Sequence, residues 1–286
     1  MSSTNHNEQL GTPAFTARPV AAKAAPDQAA STTLSTAQDV PVERPVHVDT
    51  GVFDELTRQR AQEIVARYPQ PRSALLPLLH LVQSVEGYVS QTGIAFCAEM
   101  LGLSTAQVST VATFYTMFKR RAAGEHLVSV CTNTLCAALG GDEIYARLCN
   151  KLGVGHEETA GRPGSPGSIT LEHAECLAAC DLAPVLQVNY EFYDNQTPES
   201  AVALVEALQR GERPAPTRGA PLTDWRNTEL QLAGFFGEPQ QLRDAVDGPS
   251  AAPETLAGNR LAEEKSWKAP AMPDNPPPLP TVADKK

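Results

Sequence analysis

Apolar residues recur at helical spacing between Val52 and Phe118, and this pattern predicts a bundle of four helices. The first helix carries Phe53, Leu56 and Ile64, and it ends before the Tyr68-Pro69-Gln70-Pro71 stretch because proline fixes an extended backbone. The other three helices are predicted at residues 73–85, 91–101 and 104–118, the last with Ser104 as its N-cap.

The pattern changes at His126, where short apolar runs typical of buried strands begin to alternate with helical segments. Strands are predicted at residues 126–131, 169–174 and 184–189. Helices are predicted at residues 142–152 and 199–209, the second opened by Pro198 at its first position. Residues 153–167 are rich in glycine and proline and predict a mobile loop, and residues 189–195 allow a hairpin with one further short strand. The order β–α–β–β–α indicates an α/β domain after the helical bundle.

Both ends of the chain lack this periodicity. Residues 1–48 are rich in Ala, Pro, Ser and Thr and predict a disordered arm. Residues 213–286 hold half of the chain's 24 prolines and predict an extended tail. The domain boundaries that follow are an arm at 1–48, a helical bundle at 49–120, an α/β domain at 121–212 and a tail at 213–286.

The tail also contains both tryptophans, Trp225 and Trp267, and Phe235 and Phe236 follow the first of them closely. A tail that only interacts with solvent rarely contains so many aromatic residues. The segment 223–236 is short, and proline-rich stretches flank it, so we expect it to be extended and to dock on a neighbouring protein. In this hypothesis Trp225 occupies a pocket of that partner.

Composition excludes several classes of protein. The formal net charge of −10 argues against a nucleic-acid partner, because phosphates bind basic surfaces. The sequence contains no apolar run of 18 residues, so we expect no membrane span. The N-terminus lacks the basic and apolar regions of a signal peptide, so we expect a reducing compartment, where the six cysteines do not form a disulfide framework.

Four of the cysteines form two close pairs, and each pair follows a predicted strand. Strand ends that lead into short loops can bring four thiolates to one point, which indicates a metal centre. Structural zinc favours tighter Cys-x2-Cys pairs, whereas an iron–sulfur cluster is wider and tolerates unequal loops. The small and apolar neighbours favour a [2Fe–2S] cluster, and zinc remains open as the alternative. The four candidate ligands are Cys131, Cys136, Cys176 and Cys180.

Other side chains invite weaker functional interpretations. Cys97 and Cys149 are single thiols in apolar helical segments, which is typical of core cysteines. His80 is interpreted as a packed or surface histidine. The aromatic residues Phe114, Tyr115 and Phe118 suit flavin stacking, but a core and interface stripe at helical spacing is the favoured interpretation. The sequence has no Cys-x-x-Cys and no Gly-x-Gly-x-x-Gly motif, so we expect neither dithiol chemistry nor hydride chemistry on this chain.

The two cysteine pairs, together with Ala183-Pro184 and the phrase Val111-Ala-Thr-Phe-Tyr-Thr-Met-Phe118, resemble the E subunit of NADH:quinone oxidoreductase, respiratory complex I. The resemblance covers about residues 51–211. It implies a thioredoxin-like domain in which the four paired cysteines ligate a [2Fe–2S] cluster. Two departures are visible: Ala178 stands where that family often has glycine, and residues 121–124 replace a turn that usually contains proline. Neither removes a ligand, but Ala178 can alter the hydrogen bonds of its loop and hence the cluster potential.

The resemblance also implies a function. It predicts an electron-transfer subunit of an oxidoreductase, without a complete active site and without catalytic residues of its own. Single electrons would pass between the cluster and FMN in a flavoprotein partner, the F subunit, which also holds NADH. The partners would include other subunits of the peripheral arm, and the chain would be cytoplasmic and peripherally attached to the membrane through the larger complex. Alternatives are the equivalent subunit of a soluble NAD-linked hydrogenase or formate dehydrogenase, and a zinc-stabilised adaptor.

Carboxylates surround the second cysteine pair, and no Lys or Arg occurs between residues 167 and 190. Reduction of a cluster adds negative charge, which nearby carboxylates oppose. The sequence therefore predicts a reduction potential in the low part of the range for such clusters. The carboxylates concerned are Glu172, Glu175 and Asp181.

Overall fold

The computed structural model describes residues 51–237 and 256–268. The predicted arm at residues 1–48 and the parts of the predicted tail at residues 238–255 and 269–286 lie outside the described residues. The described chain begins with a helical bundle, and Ser104 caps its fourth helix as the sequence predicts. Asp54 accepts from the backbone of the first helix and Ser90 from that of the third, and Ser104 forms a capping box with Gln107 in the fourth. The helices are α1 (Glu55–Ala66), α2 (Leu75–Glu86), α3 (Gln91–Leu101) and α4 (Thr105–Phe114), with a 3-10 turn at Pro71–Ala74 before α2.

A five-stranded sheet with the order β2-β3-β1-β4-β5 forms the second part. Its central strands β1 and β3 are parallel, with His126 opposite Ile169 and Cys131 opposite Ala174, and the other pairs are antiparallel. The two longer helices α6 and α7 share an apolar core with the sheet. The strands are β1 (His126–Cys131), β2 (Glu158–Ala160), β3 (Ile169–Ala174), β4 (Leu186–Val188) and β5 (Glu191–Tyr193), and the helices are α5 (Thr134–Ala138), α6 (Gly141–Leu152) and α7 (Pro198–Gln209).

The predicted order of a helical bundle followed by an α/β domain is confirmed, and β1 and β3 have the predicted bounds. Three local predictions differ from the structure. The fourth helix ends at Phe114 because Tyr115 adopts an extended backbone with φ −94° and ψ 120°. The loop predicted at residues 153–167 contains the short strand β2, and the helix α5 between the first two paired cysteines was not predicted.

The prediction of an extended tail from residue 213 is wrong for residues 225–232, which form helix α8 (Trp225–Leu232). This helix packs on α2 of the bundle. The indole Nε1 of Trp225 donates to the carbonyl of Gly87 at 3.0 Å. Trp225 is only 1% exposed, so the chain buries this side chain by itself. The hypothesis that Trp225 occupies a partner's pocket is therefore also wrong. A further helix, α9 (Ala257–Glu264), precedes Trp267, which is 62% exposed.

Buried polar contacts join the bundle to the sheet. Lys119, at the end of the bundle, forms an ion pair with Glu172 on β3, and both residues are buried. Ser129 on β1 donates to the other oxygen of Glu172 at 2.6 Å. Trp225 completes the junction by packing with Ala123 and Leu127 in a small apolar core. Lys119 thus neutralises Glu172, one of the carboxylates for which the sequence showed no neighbouring cation.

In the part of the chain that the structure describes, no single helix is long and apolar enough to cross a membrane. Helices α3 and α4 reach the necessary length and apolar composition only when they are taken together, and the chain bends by 120° at the break between them.

Candidate metal centre

The two cysteine pairs lie at the same edge of the sheet. Cys131 is the last residue of β1, and Cys136 follows in the short helix α5. Cys176 comes just after the end of β3, and Cys180 opens the 3-10 turn Cys180–Leu182. Because β1 and β3 are parallel neighbours, the loops that follow them leave the sheet side by side. The topology therefore brings the predicted ligands together.

Within this group the thiols form two close pairs. The Sγ atoms of Cys176 and Cys180 are 3.6 Å apart. The thiol of Cys136 is in hydrogen-bonding contact with that of Cys131, and Cys180 lies close enough to influence it electrostatically. The first pair is buried, with Cys131 1% and Cys136 2% exposed, whereas the second pair is exposed. The site thus has a buried inner half and an outer half that faces solvent.

The surroundings of Cys136 and of Cys180 raise the pKa of each thiol and so favour its protonated form. Burial raises the pKa of Cys136 to about 11, against the opposing effect of a hydrogen bond from the backbone N–H of Val185. The hydrogen bond with Cys176 raises the pKa of the exposed Cys180 thiol. A metal centre that binds here must therefore displace protons and supply positive charge for several thiolates.

The spacing of the thiols bears on the kind of metal centre. A tetrahedral zinc site needs all four sulfurs at about 2.3 Å from one point. Two close thiol pairs that meet at one sheet edge suit a wider group with more than one metal. The donor set therefore fits a [2Fe–2S] cluster.

Apolar side chains surround the inner half of the site. Cys131 and Cys136 share a buried core with Ala179 and Val185, and the half-buried side chains packed against it are Leu177, Ala183 and Phe192. The backbone of this region is also paired, since the N–H of Cys131 donates to the carbonyl of Val185 at 3.1 Å. The Ala183-Pro184 peptide bond between these segments is cis. The surroundings exclude water from the inner thiols and hold their loop in one position.

Gly141, the first residue of α6, is required by the close approach of the loop that carries the first cysteine pair. A Cβ at this position would lie 2.5 Å from the carbonyl oxygen of Cys131 and 2.9 Å from that of Cys136. We expect Gly141→Ala to displace this loop, to lower the free energy of unfolding by about 1–3 kcal/mol and to weaken retention of the metal centre. Chemical unfolding and iron content measure the two effects.

Gly155→Ala is the matched control for this change. A Cβ there would lie 3.4 Å from the nearest atom, an oxygen of the flexible Glu158 side chain. We expect this variant to keep its stability and its iron. Equal effects of the two substitutions would contradict the packing argument.

Ala178, between the outer cysteines, has a φ of 57°, in the left-handed region that favours glycine. This conformation costs a residue with a side chain roughly 1–2 kcal/mol, while glycine loses about 0.5–1 kcal/mol more backbone entropy on folding. We therefore expect Ala178→Gly to be neutral or to stabilise the protein by up to about 1 kcal/mol. Urea unfolding checks this, with Ala179→Gly as the control: Ala179 has a φ of −117° and is buried, so glycine should destabilise there.

The remaining sequence candidates lie elsewhere. Cys97 is completely buried in the core of the helical bundle, where burial raises the pKa of its thiol. Cys149 is half-buried against the core of the sheet and contacts the Tyr145 hydroxyl. Among the described residues, the apolar core around the paired cysteines includes neither of them. The interpretation of both as packing residues therefore agrees with their positions, although Cys149 is only partly buried.

The aromatic stripe is divided between core and surface. Phe118 is buried in the core of the bundle at 2% exposure, as predicted. Phe114 and Tyr115 are exposed by 74% and 40%, so they are not core residues, and their role at an interface stays a prediction. His80 is packed, and its Nδ1 lies 2.6 Å from Oε2 of the completely buried Glu229 on α8.

Three residues near the site were missed at the level of sequence: Lys119, Gly141 and Arg218. Lys119 and Arg218 are buried cations that pair with carboxylates of the site region, Glu172 and Asp181. Both cations are distant in sequence from the second cysteine pair, so the local charge pattern did not include them. Gly141 carried a weak signal in the sequence, because the pair Gly140-Gly141 is typical of a turn or loop.

The chain is similar to several known proteins. A family model described as thioredoxin-like [2Fe–2S] ferredoxin matches residues 61–209. The E subunit of NADH-quinone oxidoreductase from Mycobacterium tuberculosis is 55% identical over 213 residues, which are 74% of this chain and 81% of that protein. The protein of the same name from Rickettsia conorii is 38% identical over 160 residues, 55% of this chain and 93% of that protein. A solved structure of an NAD+-reducing [NiFe]-hydrogenase has a TM-score of 0.41 and 15% identity, and the match covers 47% of this chain and 23% of that chain.

Proposed function

This chain belongs to the family of NADH-quinone oxidoreductase E subunits and contains its thioredoxin-like [2Fe–2S] ferredoxin domain, and from that premise we propose that it transfers single electrons between a flavin on a partner subunit and the rest of a respiratory complex. The expected fold class, a helical bundle followed by a thioredoxin-like domain, is confirmed, and the chain binds a [2Fe–2S] cluster. In the proposal the domain boundaries fall at residues 49–120 and 121–212.

The observation that carries the proposal is the convergence of two thiol pairs at one sheet edge. We assign the cluster ligands as Cys131, Cys136, Cys176 and Cys180. A [2Fe–2S] cluster supplies one-electron transfer when it is bound. The protein holds it through thiolates and keeps water from the inner pair. The N–H of Val185 donates to the sulfur of Cys136, and this hydrogen bond helps to set the reduction potential of the cluster.

The exposed outer pair supports an electron-transfer role. Cys176 and Cys180 are exposed, which places one side of the site where a partner can approach. The sequence has no nucleotide-binding glycine motif, so hydride transfer from NADH is assigned to a flavoprotein subunit that holds FMN. The chain would then lie on the cytoplasmic side, attached to the membrane only through the larger complex.

The experiment compares the purified full-length chain with the chain co-expressed with the flavoprotein subunit. The chain alone should contain about two iron and two sulfide per molecule, show the absorption of a [2Fe–2S] cluster, and give an EPR signal after dithionite reduction. NADH should reduce this cluster only when the flavoprotein is present. A colourless protein containing zinc would overturn the proposal, as would direct reduction by NADH without a partner. Co-purification with hydrogenase or formate dehydrogenase subunits would reject complex I as the host.

A further inference from the structure

Arg218 lies beside the cluster region, although it follows the part of the chain that the ferredoxin family model matches. The segment that carries it runs along the edge strand β5. The N–H of Thr217 donates to the carbonyl of Phe192 at 2.9 Å, and Arg218 forms an antiparallel bridge with Phe192. Arg218 is only 7% exposed, so its guanidinium is held in place and largely shielded from solvent.

The guanidinium contacts two carboxylates. Its Nη2 is 2.7 Å from Oδ1 of the buried Asp194 and 3.9 Å from Oδ1 of Asp181. Asp194 is fixed in turn, because Thr217 Oγ1 donates to its other oxygen at 2.7 Å. The guanidinium carbon also lies 4.8 Å from the ring centre of Phe192.

Each of these contacts reaches toward the cysteines. Asp181 follows Cys180 directly in the 3-10 turn that holds the outer pair. Phe192 packs against the apolar core that contains Cys131 and Cys136. The guanidinium therefore contacts both a carboxylate next to an outer ligand and a ring that packs against the inner ligands. Charges in such a shielded place are poorly screened by solvent and salt.

We propose that Arg218 sets the reduction potential of the cluster by offsetting the negative charge of Asp181 and Asp194; the inference rests on the proposed cluster ligands. With Arg218 in place, these three side chains carry a net charge of about −1, and without it about −2. Reduction adds one electron, and therefore one more negative charge, to the cluster. A nearby positive charge favours that step, so Arg218 raises the potential.

This inference revises the expectation of a low potential. That expectation treated Glu172, Glu175 and Asp181 as carboxylates without neighbouring cations. In the structure Lys119 pairs with Glu172 and Arg218 lies beside Asp181. Glu175 instead accepts a neutral hydrogen bond from Asn133 at 3.1 Å. Lys119 therefore compensates Glu172, whereas Arg218 is shared between Asp194 and Asp181 and offsets only part of their charge.

The test measures the midpoint potential of the cluster in the full-length chain by dithionite titration with EPR detection. Arg218→Gln should lower it, with a change of roughly tenfold in the ratio of reduced to oxidised cluster at fixed ambient potential, or about 59 mV. Arg218→Lys keeps the charge and should stay close to the native value. Asp181→Asn, at an exposed position, should raise the potential. An unchanged potential in Arg218→Gln, with the cluster retained, overturns the inference.

A second comparison guards against misfolding, because Arg218→Gln leaves the buried Asp194 without its cation. Asp194→Asn and the double variant Asp194→Asn/Arg218→Gln differ only in the charge at position 218. The double variant should have the lower potential of the two, and equal potentials overturn the inference even if the single arginine variant fails to fold. A native chain without any cluster signal would instead reject the proposed function, so the two failures are distinguishable.

Discussion

Serine in place of Cys131, Cys136, Cys176 or Cys180 is expected to remove most or all of the [2Fe–2S] cluster from the purified chain. A serine oxygen is a harder and poorer ligand for iron than a thiolate, and a cluster that loses one of four protein ligands is poorly retained. Loss should be greatest at Cys131 and Cys136, whose surroundings are apolar and leave little room for water as a replacement ligand. Iron and acid-labile sulfide per chain, with EPR of the reduced protein, measure the outcome.

The two remaining cysteines provide the controls for this experiment. Cys97→Ala and Cys149→Ala remove thiols from the bundle core and from the edge of the sheet core, away from the apolar core around the ligands. Both variants should keep the full cluster signal, although Cys97→Ala should lose some stability because its site is completely buried. A full signal in any of the four ligand variants would contradict the assignment of that ligand.

The sequence predicted the elements whose ends are marked by local chemistry. Apolar runs defined β1 and β3, and the N-cap Ser104 defined the start of α4. The convergence of the cysteine pairs followed from two such strands being parallel neighbours. The five-residue helix α5 was missed because a segment of that length is too short to show helical periodicity.

Contacts between distant parts of the chain explain what the sequence did not show. Arg218 lies 37 positions after Asp181, and Lys119 lies 53 positions before Glu172, so neither ion pair appears in a local window. The close approach of Gly141 to the carbonyl groups of Cys131 and Cys136 likewise exists only after folding. The potential of the cluster therefore depends on tertiary contacts, while its ligand set is visible in the sequence.

Helix α8 is the clearest case of a prediction reversed by tertiary structure. Prolines near the segment 223–236 predicted an extended chain, yet Asp224 caps a helix there by accepting from the N–H of Asn227 at 2.9 Å. Of the apolar residues that suggested a partner's surface, Trp225 instead packs with Ala123 and Leu127, and Leu230 and Phe235 pack against the core of the bundle. His80 and Glu229 add a buried polar contact between α2 and α8. The segment after residue 213 is therefore part of the folded unit at least through α8.

Trp225→Ala is expected to lower the free energy of unfolding by about 3–5 kcal/mol, the usual cost of truncating a large buried aromatic residue. Trp225 is 1% exposed, packs with Ala123 and Leu127, and donates its indole N–H to the carbonyl of Gly87. Its loss leaves a cavity at the junction of bundle and sheet and removes one of the two hydrogen bonds that the Gly87 carbonyl accepts, the other coming from the N–H of Ala123 at 3.4 Å. Urea unfolding followed by far-UV circular dichroism measures the change, and at low temperature the folded fraction should still bind the cluster.

Trp267→Ala is the matched control, because this tryptophan is 62% exposed and its ring centre lies 5.4 Å from Nζ of Lys265. An exposed substitution of this kind should change the unfolding free energy by no more than about 0.5 kcal/mol. Comparing the two variants distinguishes packing within this chain from docking on a partner as the role of Trp225. If Trp225 served a partner, its removal would leave the isolated chain as stable as the control and would weaken only co-purification with that partner. A loss of less than about 1 kcal/mol in Trp225→Ala would therefore contradict the burial argument and restore the docking hypothesis.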